Sequence, residues 1–354
     1  MSAARSFALS EVRTVSGAFE RFLEEQINIG PGIRGTASTS QNHLRDFLDE
    51  ENRRDSGFPK VLSTADQDFL GGSFSRHTKN WPLDDIDVYL PLDGKDLLYT
   101  QSGVRLPFTV VSDSRLPYNP LLGARWMANG HISSDRLLIE FSKVLRRHYP
   151  AETTVGVNGC AVAVRLTHGE SRSNEGLGYD IVPCFRLQPD DESELFFYLM
   201  PDGNNGWLRT NPRVDTYVAD ELQSFHNGLY RKVIKIVKYW NQNHFWNTFK
   251  SYYIELAISL RFLELKSAGS PIQSISVGVH LAFEALRAAA LAGDLTSFIK
   301  NAPAVKAPDM HALSHRYLDS VHLIMAEAVS REFAGRTADA VANWAIVFGN
   351  SFPS

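Results

Sequence analysis

Two carboxylates at alternating positions are the residues best placed to do chemistry. Asp85 and Asp87 lie in the segment DDIDVYLPL, where polar and apolar side chains alternate up to Leu90. This period is that of a half-buried β-strand, so both carboxylates should point to one face while Ile86 and Val88 point into the core. Two such carboxylates repel each other unless a cation lies between them, and Mg²⁺ prefers oxygen ligands of this kind.

A glycine-bearing turn precedes the predicted strand. Gly71 and Gly72 let the backbone approach a phosphate closely, and Ser73 adds a hydroxyl donor. Taken alone, a Gly-Ser pair is more often an ordinary turn, and an isolated Asp-x-Asp is more often a solvated strand face. The order of the two features, with the turn just before the carboxylates, favours a metal-dependent nucleotide site.

These residues resemble the signature of the nucleotidyltransferase superfamily that includes DNA polymerase β. The sequence is most similar to the bacterial cyclic-oligonucleotide synthases (CD-NTases) of anti-phage (CBASS) signalling, relatives of cyclic GMP-AMP synthase and of dinucleotide cyclase. The phosphate turn of that family reads Gly-Ser-x-x-Arg-Gly-Thr. Here Ser73, Arg76 and Thr78 are in place after Gly72, whereas His77 stands at the position of the second glycine.

A third carboxylate, Asp180, opens the apolar segment that runs to Phe185. By itself, an aspartate at the start of a strand is more often a turn or cap residue. The resemblance implies a catalytic role, because the third carboxylate of the family stands in a similar Asp-apolar-Val-Pro context on a strand beside the first two. Only the tertiary fold can bring Asp180 to Asp85 and Asp87, which are far away along the chain.

The chain has 354 residues, enough for two lobes with separate cores. Mixed strands and helices followed by purely helical periodicity predict an α+β fold. The resemblance implies a polymerase β-like sheet lobe over residues 1–205, including an N-terminal spine helix, and a helical lobe over 206–354 that closes over the nucleotide cleft.

Apolar spacing predicts a helix from 16 to 29, a break at the glycines of 30–35, and a second helix from a cap within 36–40 to about 54. Residues 207–212 are predicted to form an extended connector. Further helices are predicted at 133–148, 215–226, 229–243, 275–292, 312–332 and 337–348, with another that begins near 250.

Three residues of the predicted helical lobe are candidates for nucleotide contacts. Lys238 lies on a basic helical stripe, and on spacing alone such a stripe is usually a solvated face. The resemblance implies that Lys238 and Ser251 hold phosphates and that Tyr252 stacks on a base. The simpler alternative makes Tyr252 and its neighbour Tyr253 core aromatics.

Composition excludes several other classes of protein. The net charge of −4 gives no basic footprint, so nucleic-acid binding is not expected. The N-terminus lacks an apolar signal region, and the sequence contains no run of eighteen apolar residues, which predicts a cytoplasmic protein without a membrane partner. Cys160 and Cys184 are expected to be buried reduced thiols.

The resemblance implies an enzyme that joins ribonucleoside triphosphates, ATP and GTP foremost, into a cyclic di- or trinucleotide second messenger read by a separate effector protein. Asp85, Asp87 and Asp180 would bind two Mg²⁺ ions, with Mn²⁺ as an alternative. Gly72 and Ser73 would cradle the triphosphate. The alternatives are a linear oligonucleotide polymerase, a nucleotidyltransferase acting on RNA or a small molecule, and a non-catalytic nucleotide-binding regulator.

Overall fold

The computed structural model describes residues 14–62, 69–83, 85–101, 107–113, 119–149, 153–166, 177–187, 197–299 and 302–353. Its helices are α1 (Val15–Phe22, continued by a π-helical turn Leu23–Ile27), α2 (Pro31–Arg54), α3 (Gly72–Ser75), α4 (Ser134–His148), α5 (Pro212–Phe225), α6 (Tyr230–His244), α7 (Ser251–Ser267), α8 (Ile275–Ala292), α9 (Ala312–Phe333) and α10 (Thr337–Phe348). Its strands are β1 (Phe69–Leu70), β2 (Ile86–Pro91), β3 (Leu97–Gln101), β4 (Phe108–Ser112), β5 (Met127–Ala128), β6 (His131–Ile132), β7 (Thr154–Asn158), β8 (Ala161–Leu166), β9 (Leu177–Arg186), β10 (Tyr198–Pro201) and β11 (Trp207–Thr210).

The chain divides into two compact units. The sheet unit comprises Ile29–Tyr217 and Phe298–Pro303, and the helical unit comprises the described residues up to Asn28, Val218–Ser297 and those from Ala304 onward. The α+β class is confirmed. The predicted boundary after residue 205 is not the one found, because the sheet unit continues to residue 217 and the first helix belongs to the helical unit.

Packing explains why the N-terminal helix joins the C-terminal helices. Phe19 and Phe22 of α1 are fully buried, and the Phe19 ring meets the Trp344 ring edge-on at 5.0 Å between centroids. The Phe22 ring lies 5.3 Å from that of Phe352, near the end of the chain. The helix begins at Val15, one residue before its predicted start, and the Thr14 hydroxyl caps it by accepting from the Gly17 N–H at 3.0 Å.

A mixed sheet is the framework of the sheet unit. Its strands lie in the order β1-β2-β9-β10-β11-β4-β3. Outside this order, β8 pairs with β9, and β7 pairs with β8. β2 and β9 are parallel, whereas the other pairs are antiparallel. The segment predicted as an extended connector at 207–212 is extended, but Trp207–Thr210 form the sheet strand β11 rather than a free connector.

The start of α2 differs from its prediction, whereas α4 lies where its sequence predicted it. α2 begins at Pro31 and runs through the glycines that were expected to break it, since proline suits the first turn and an internal glycine costs only about 1 kcal/mol relative to alanine. α4 lies where it was predicted, with the Ser133 side chain accepting from the Arg136 N–H at 3.1 Å and with Leu137 and Phe141 buried.

The helical unit has a core built largely from α6, α7 and α8. Trp240, Tyr253 and Phe283 are fully buried there. α8 is long and apolar enough to cross a membrane by length and composition alone. However, its residues Val279 and Leu286 are fully buried in the same core, which accounts for its apolar composition within a folded protein.

Candidate active site

Two of the predicted catalytic carboxylates lie side by side on neighbouring strands. Asp87 of β2 and Asp180 of β9 are directly paired in the parallel register. Paired residues of adjacent strands point to the same face, and neighbouring strands lie about 4.8 Å apart. β9 begins at Leu177 rather than at Asp180, so the third carboxylate lies inside a strand and not at its start.

Asp85 is the residue immediately before β2 and lies two residues before Asp87. Ile86, Val88 and Leu90 are buried as predicted, and the period of two therefore keeps Asp85 on the face of Asp87. Tyr89, on that same face, is also buried, in a small cluster with Val182, Cys184 and Tyr198. The polar face of β2 is thus confined to the end that carries the carboxylates.

Two basic residues that the sequence analysis did not single out hold the outer carboxylates. The Lys79 ammonium forms an ion pair with Asp85. The Arg165 guanidinium, on β8, donates to Asp180 Oδ1 at 2.7 Å and to the Tyr179 carbonyl at 2.9 Å. Position gives a partial signal for Lys79, which directly follows the phosphate turn, but only the strand register shows that Arg165 reaches Asp180.

Arg165 reaches Asp180 along a diagonal of the sheet. Ala163 is the residue directly opposite Asp180 in the β8–β9 register, and Arg165 lies two positions further along the same face. Diagonal neighbours of this kind lie within reach of long side chains. The small Ala163 side chain leaves the space beside Asp180 to the guanidinium.

The Asp87 carboxylate lies in a largely desolvated position. Burial is the main cause that raises its pKa to about 7, and repulsion from Asp85 and from Asp180 adds to the effect. Arg76 and Lys79 act in the opposite direction but do not cancel it. A site with this balance favours a bound proton or cation at Asp87.

The glycine turn lies directly against Asp87. Gly72 has φ +63°, in the left-handed region, and a Cβ at that position would lie 1.6 Å from Asp87 Oδ2. The Gly71 N–H donates to the Asp87 carbonyl at 2.9 Å. Any side chain at position 72 would therefore strain the backbone and displace the carboxylate.

The rest of the phosphate turn is compact. Ser73 lies in the short helix α3, and its carbonyl accepts the N–H of the buried Thr78 at 2.9 Å. His77, at the position of the second family glycine, has φ +58°. The turn thus keeps the left-handed conformation that glycine adopts freely, and the histidine accepts it at a cost of roughly 1–2 kcal/mol.

The three candidates for nucleotide contacts outside the sheet all lie in the helical unit. Lys238 is not on a solvated face, because its side chain is 6% exposed and forms an ion pair with Glu255, which is 4% exposed. Ser251 is exposed and begins α7, with Lys250 at the cap position. Their contact with a nucleotide stays a prediction.

The two adjacent tyrosines of α7 have different environments. Tyr253 is fully buried, and its hydroxyl donates to the Gly293 carbonyl at 2.8 Å. Tyr252 is half-buried, with its hydroxyl 3.3 Å from that of Ser297. Tyr253 is therefore the core aromatic of the pair, and a stacking role is left to Tyr252.

The three carboxylates are ligands of the type that suits a divalent metal ion, although they are not gathered into a complete coordination shell. In the described part of the chain, no group of three or more His, Cys, Asp and Glu side chains is gathered for a metal. Asp85 and Asp180 are instead neutralised by Lys79 and Arg165. All three groups are hard oxygen donors on one sheet face, and their repulsion raises the pKa of Asp87, which suits a cation such as Mg²⁺.

The chain is similar in sequence to a probable cyclic nucleotide synthase of Bacillus cereus (strain VD146). The two are 27% identical over 355 residues, which cover 97% of this chain and 99% of the relative. No protein-family model matches the sequence.

The fold is similar to that of CdnC from E. coli MS115-1. The structure of its complex with HORMA-deltaN matches with a TM-score of 0.61 and 17% identity, over 96% of this chain and 98% of that chain. The structure of CdnC with ATP matches with a TM-score of 0.60 and 18% identity, over 96% and 99% of the two chains.

A mixed sheet that pairs Asp87 with Asp180 beside a Gly-Ser turn defines the class of protein: the chain is a nucleotidyltransferase. The match to a probable cyclic nucleotide synthase along nearly the whole sequence and the fold shared with CdnC both support the resemblance to the bacterial CD-NTases.

Proposed function

We propose that this protein is a Mg²⁺-dependent enzyme that makes a cyclic di- or trinucleotide from ribonucleoside triphosphates, acting in the cytoplasm in anti-phage defence. The observation that carries the proposal is the in-register pair Asp87 and Asp180, with Gly72 packed against the Asp87 carboxylate. The similarity to a probable cyclic nucleotide synthase supports cyclisation over linear polymerisation.

Asp85 and Asp87 would hold the metal ions, with Asp180 beside them. Bound Mg²⁺ supplies acidity to an attacking ribose hydroxyl and neutralises charge on the departing pyrophosphate. Asp180, which the Arg165 guanidinium holds through Oδ1, would accept the proton of the hydroxyl through its second oxygen. Arg76, buried beside Asp87, keeps positive charge at the turn where phosphates would lie.

Several further residues would hold the substrate. The Gly71–Gly72 backbone and the Ser73 hydroxyl would contact the triphosphate, with Thr78 fixing the turn from behind. Lys238 and Ser251 would contact phosphates, and Tyr252 would stack on a base. ATP and GTP are the proposed substrates, and the solved CdnC structure with ATP supports ATP.

The proposed function also involves an effector protein and a regulatory partner. A separate effector would read the cyclic product. The CdnC complex with HORMA-deltaN supports a regulatory protein partner for this chain as well.

The test is incubation of the purified protein with the four ribonucleoside triphosphates and Mg²⁺, then phosphatase treatment and chromatography. A phosphatase-resistant product that disappears in the Asp85→Asn/Asp87→Asn variant is expected. A ladder of phosphatase-sensitive products would mean linear polymerisation. The absence of any product would favour a non-catalytic nucleotide-binding protein and would contradict the proposal.

A further inference from the structure

The carboxylate site carries its own positive charges. Asp85 forms an ion pair with Lys79, and Asp180 forms one with Arg165. Asp87, between them, has a pKa raised by burial and by its two carboxylate neighbours. The two outer carboxylates are therefore already neutralised in the metal-free protein.

The two basic residues are held in different ways. Arg165 donates to the carbonyls of Tyr179 at 2.9 Å and of Val164 at 3.4 Å in addition to the Asp180 carboxylate. Backbone acceptors therefore fix its guanidinium independently of the carboxylate. Arg165 is suited to orient Asp180 permanently.

The Lys79–Asp85 pair is the more exchangeable of the two. The Asp85 side chain is 53% exposed and that of Lys79 is 14% exposed, so water reaches and screens this ion pair from the carboxylate side. An ammonium is a single charge on a flexible four-carbon stem, so it can leave the carboxylate without a change in the backbone. Lys79 also lowers the pKa of Asp87, which places its charge near both predicted metal ligands.

We propose that Lys79 is a displaceable counter-ion that occupies the Asp85–Asp87 site in the metal-free protein and competes with the incoming divalent metal ion. This inference rests on the proposed function, because it takes these two aspartates as the metal ligands. The ammonium relieves the repulsion between the carboxylates until a metal arrives. Its release from Asp85 is then the first step of loading, and the intrinsic metal affinity of the site is weakened by its presence.

The experiment measures Mn²⁺ binding to the nucleotide-free protein by electron paramagnetic resonance of the free ion. Wild type is compared with Lys79→Gln, which removes the charge, and with Lys79→Arg, which keeps it. Lys143→Gln is the matched control, because Lys143 is an exposed lysine of the same unit that pairs with Glu140. Thermal melting of each variant checks that the fold is retained.

Lys79→Gln is expected to bind Mn²⁺ roughly tenfold more tightly than wild type, because a unit charge close to the divalent ion is removed. Lys79→Arg and Lys143→Gln should bind as wild type does. Unchanged or weaker Mn²⁺ binding in Lys79→Gln overturns the inference, as does binding that is insensitive to Asp85→Asn/Asp87→Asn.

The product assay separates this inference from the proposed function. If wild type makes a cyclic product while Lys79→Gln shows no gain in Mn²⁺ affinity, the counter-ion role alone is wrong. If Lys79→Gln gains affinity while wild type makes no nucleotide product, the counter-ion role stands and the proposed reaction is wrong.

Discussion

The Asp87 carboxylate lies directly against the backbone of Gly72, so closely that a Cβ at position 72 would come within 1.6 Å of Asp87 Oδ2. The phosphate turn and the carboxylate strand thus form one packed unit. Because the Gly71 N–H also donates to the Asp87 carbonyl, a displacement of the turn is transmitted to the carboxylate.

Gly72→Ala should therefore lower nucleotide synthesis by at least a hundredfold, a loss of about 3 kcal/mol in transition-state stabilisation. Gly130→Ala is the matched control, since Gly130 also has a left-handed backbone, φ +80°, with nothing within 4 Å of an added Cβ. Left-handed strain should cost both variants roughly 1–2 kcal/mol of stability, with a further loss in Gly72→Ala from the clash with Asp87, and only Gly72→Ala should lose activity. Equal activities in the two variants would contradict the packing argument.

Replacing Asp85 and Asp87 together by asparagine should abolish synthesis and leave the fold intact. Asparagine keeps the shape of the side chain and removes the charge that repels Asp180 and that would bind metal. The melting temperature without metal should stay equal or rise, because the repulsion that raises the Asp87 pKa is lost. Asp309→Asn, at an exposed position, controls for the loss of a negative charge.

Lys238→Ala should destabilise the helical unit by about 3–5 kcal/mol, because it leaves the buried Glu255 carboxylate without its cation. Lys238→Met combined with Glu255→Met should recover most of that loss, since both charges are removed together. Urea unfolding of the two variants measures the difference. Similar unfolding midpoints would mean that the ion pair matters little for stability.

The nucleotide role of Lys238 is best measured in that double variant, where the fold is retained. If the ammonium contacts the triphosphate, its loss should still lower the rate at limiting nucleotide about ten- to a hundredfold, the range of a charge-assisted contact. An effect below about twofold would assign Lys238 to the structural ion pair alone.

Tyr252 offers a test of the order of bond formation. If the product is cyclic, one carboxylate site forms its phosphodiester bonds one at a time, so a linear intermediate with a 5′-triphosphate must turn within the site. Tyr252→Ala should lower turnover and release more of this intermediate, because stacking contributes about 1–3 kcal/mol per base. Tyr252→Phe keeps the ring and removes the hydroxyl, which lies 3.3 Å from that of Ser297, so it should behave as wild type. If chromatography of early time points never shows the intermediate, the sequential scheme is wrong.

The stacked pair His280 and His322, with ring centroids 4.8 Å apart, should make stability depend on pH. Burial lowers the pKa of both rings, and His322 lowers that of His280 further, so both are neutral when folded. Unfolding then takes up protons below about pH 6.5, and stability that is full above that value is lost as the pH falls. The melting temperature should fall less between about pH 7.5 and 5.5 in His280→Gln/His322→Gln than in wild type.

The local residue pattern was sufficient to predict much of the secondary structure and the face of β2 that carries the carboxylates. A period of two placed Ile86, Val88 and Leu90 in the core, and helical spacing located α4, α8 and α10 within a residue or two. The break expected at residues 30–35 ends at Gly30, because α2 begins at Pro31 and an internal glycine costs a helix only about 1 kcal/mol relative to alanine.

What the sequence by itself determined was which side chains share a face, because strand and helix periods are properties of neighbouring residues. The tertiary structure alone decided which faces meet. Asp180 lies opposite Asp87 because β2 and β9 pair in parallel, and Arg165 reaches Asp180 only through the β8–β9 register. Lys238 is buried with Glu255 rather than solvated because helix packing closes over it. Such pairings join residues far apart along the chain, and no local period encodes them.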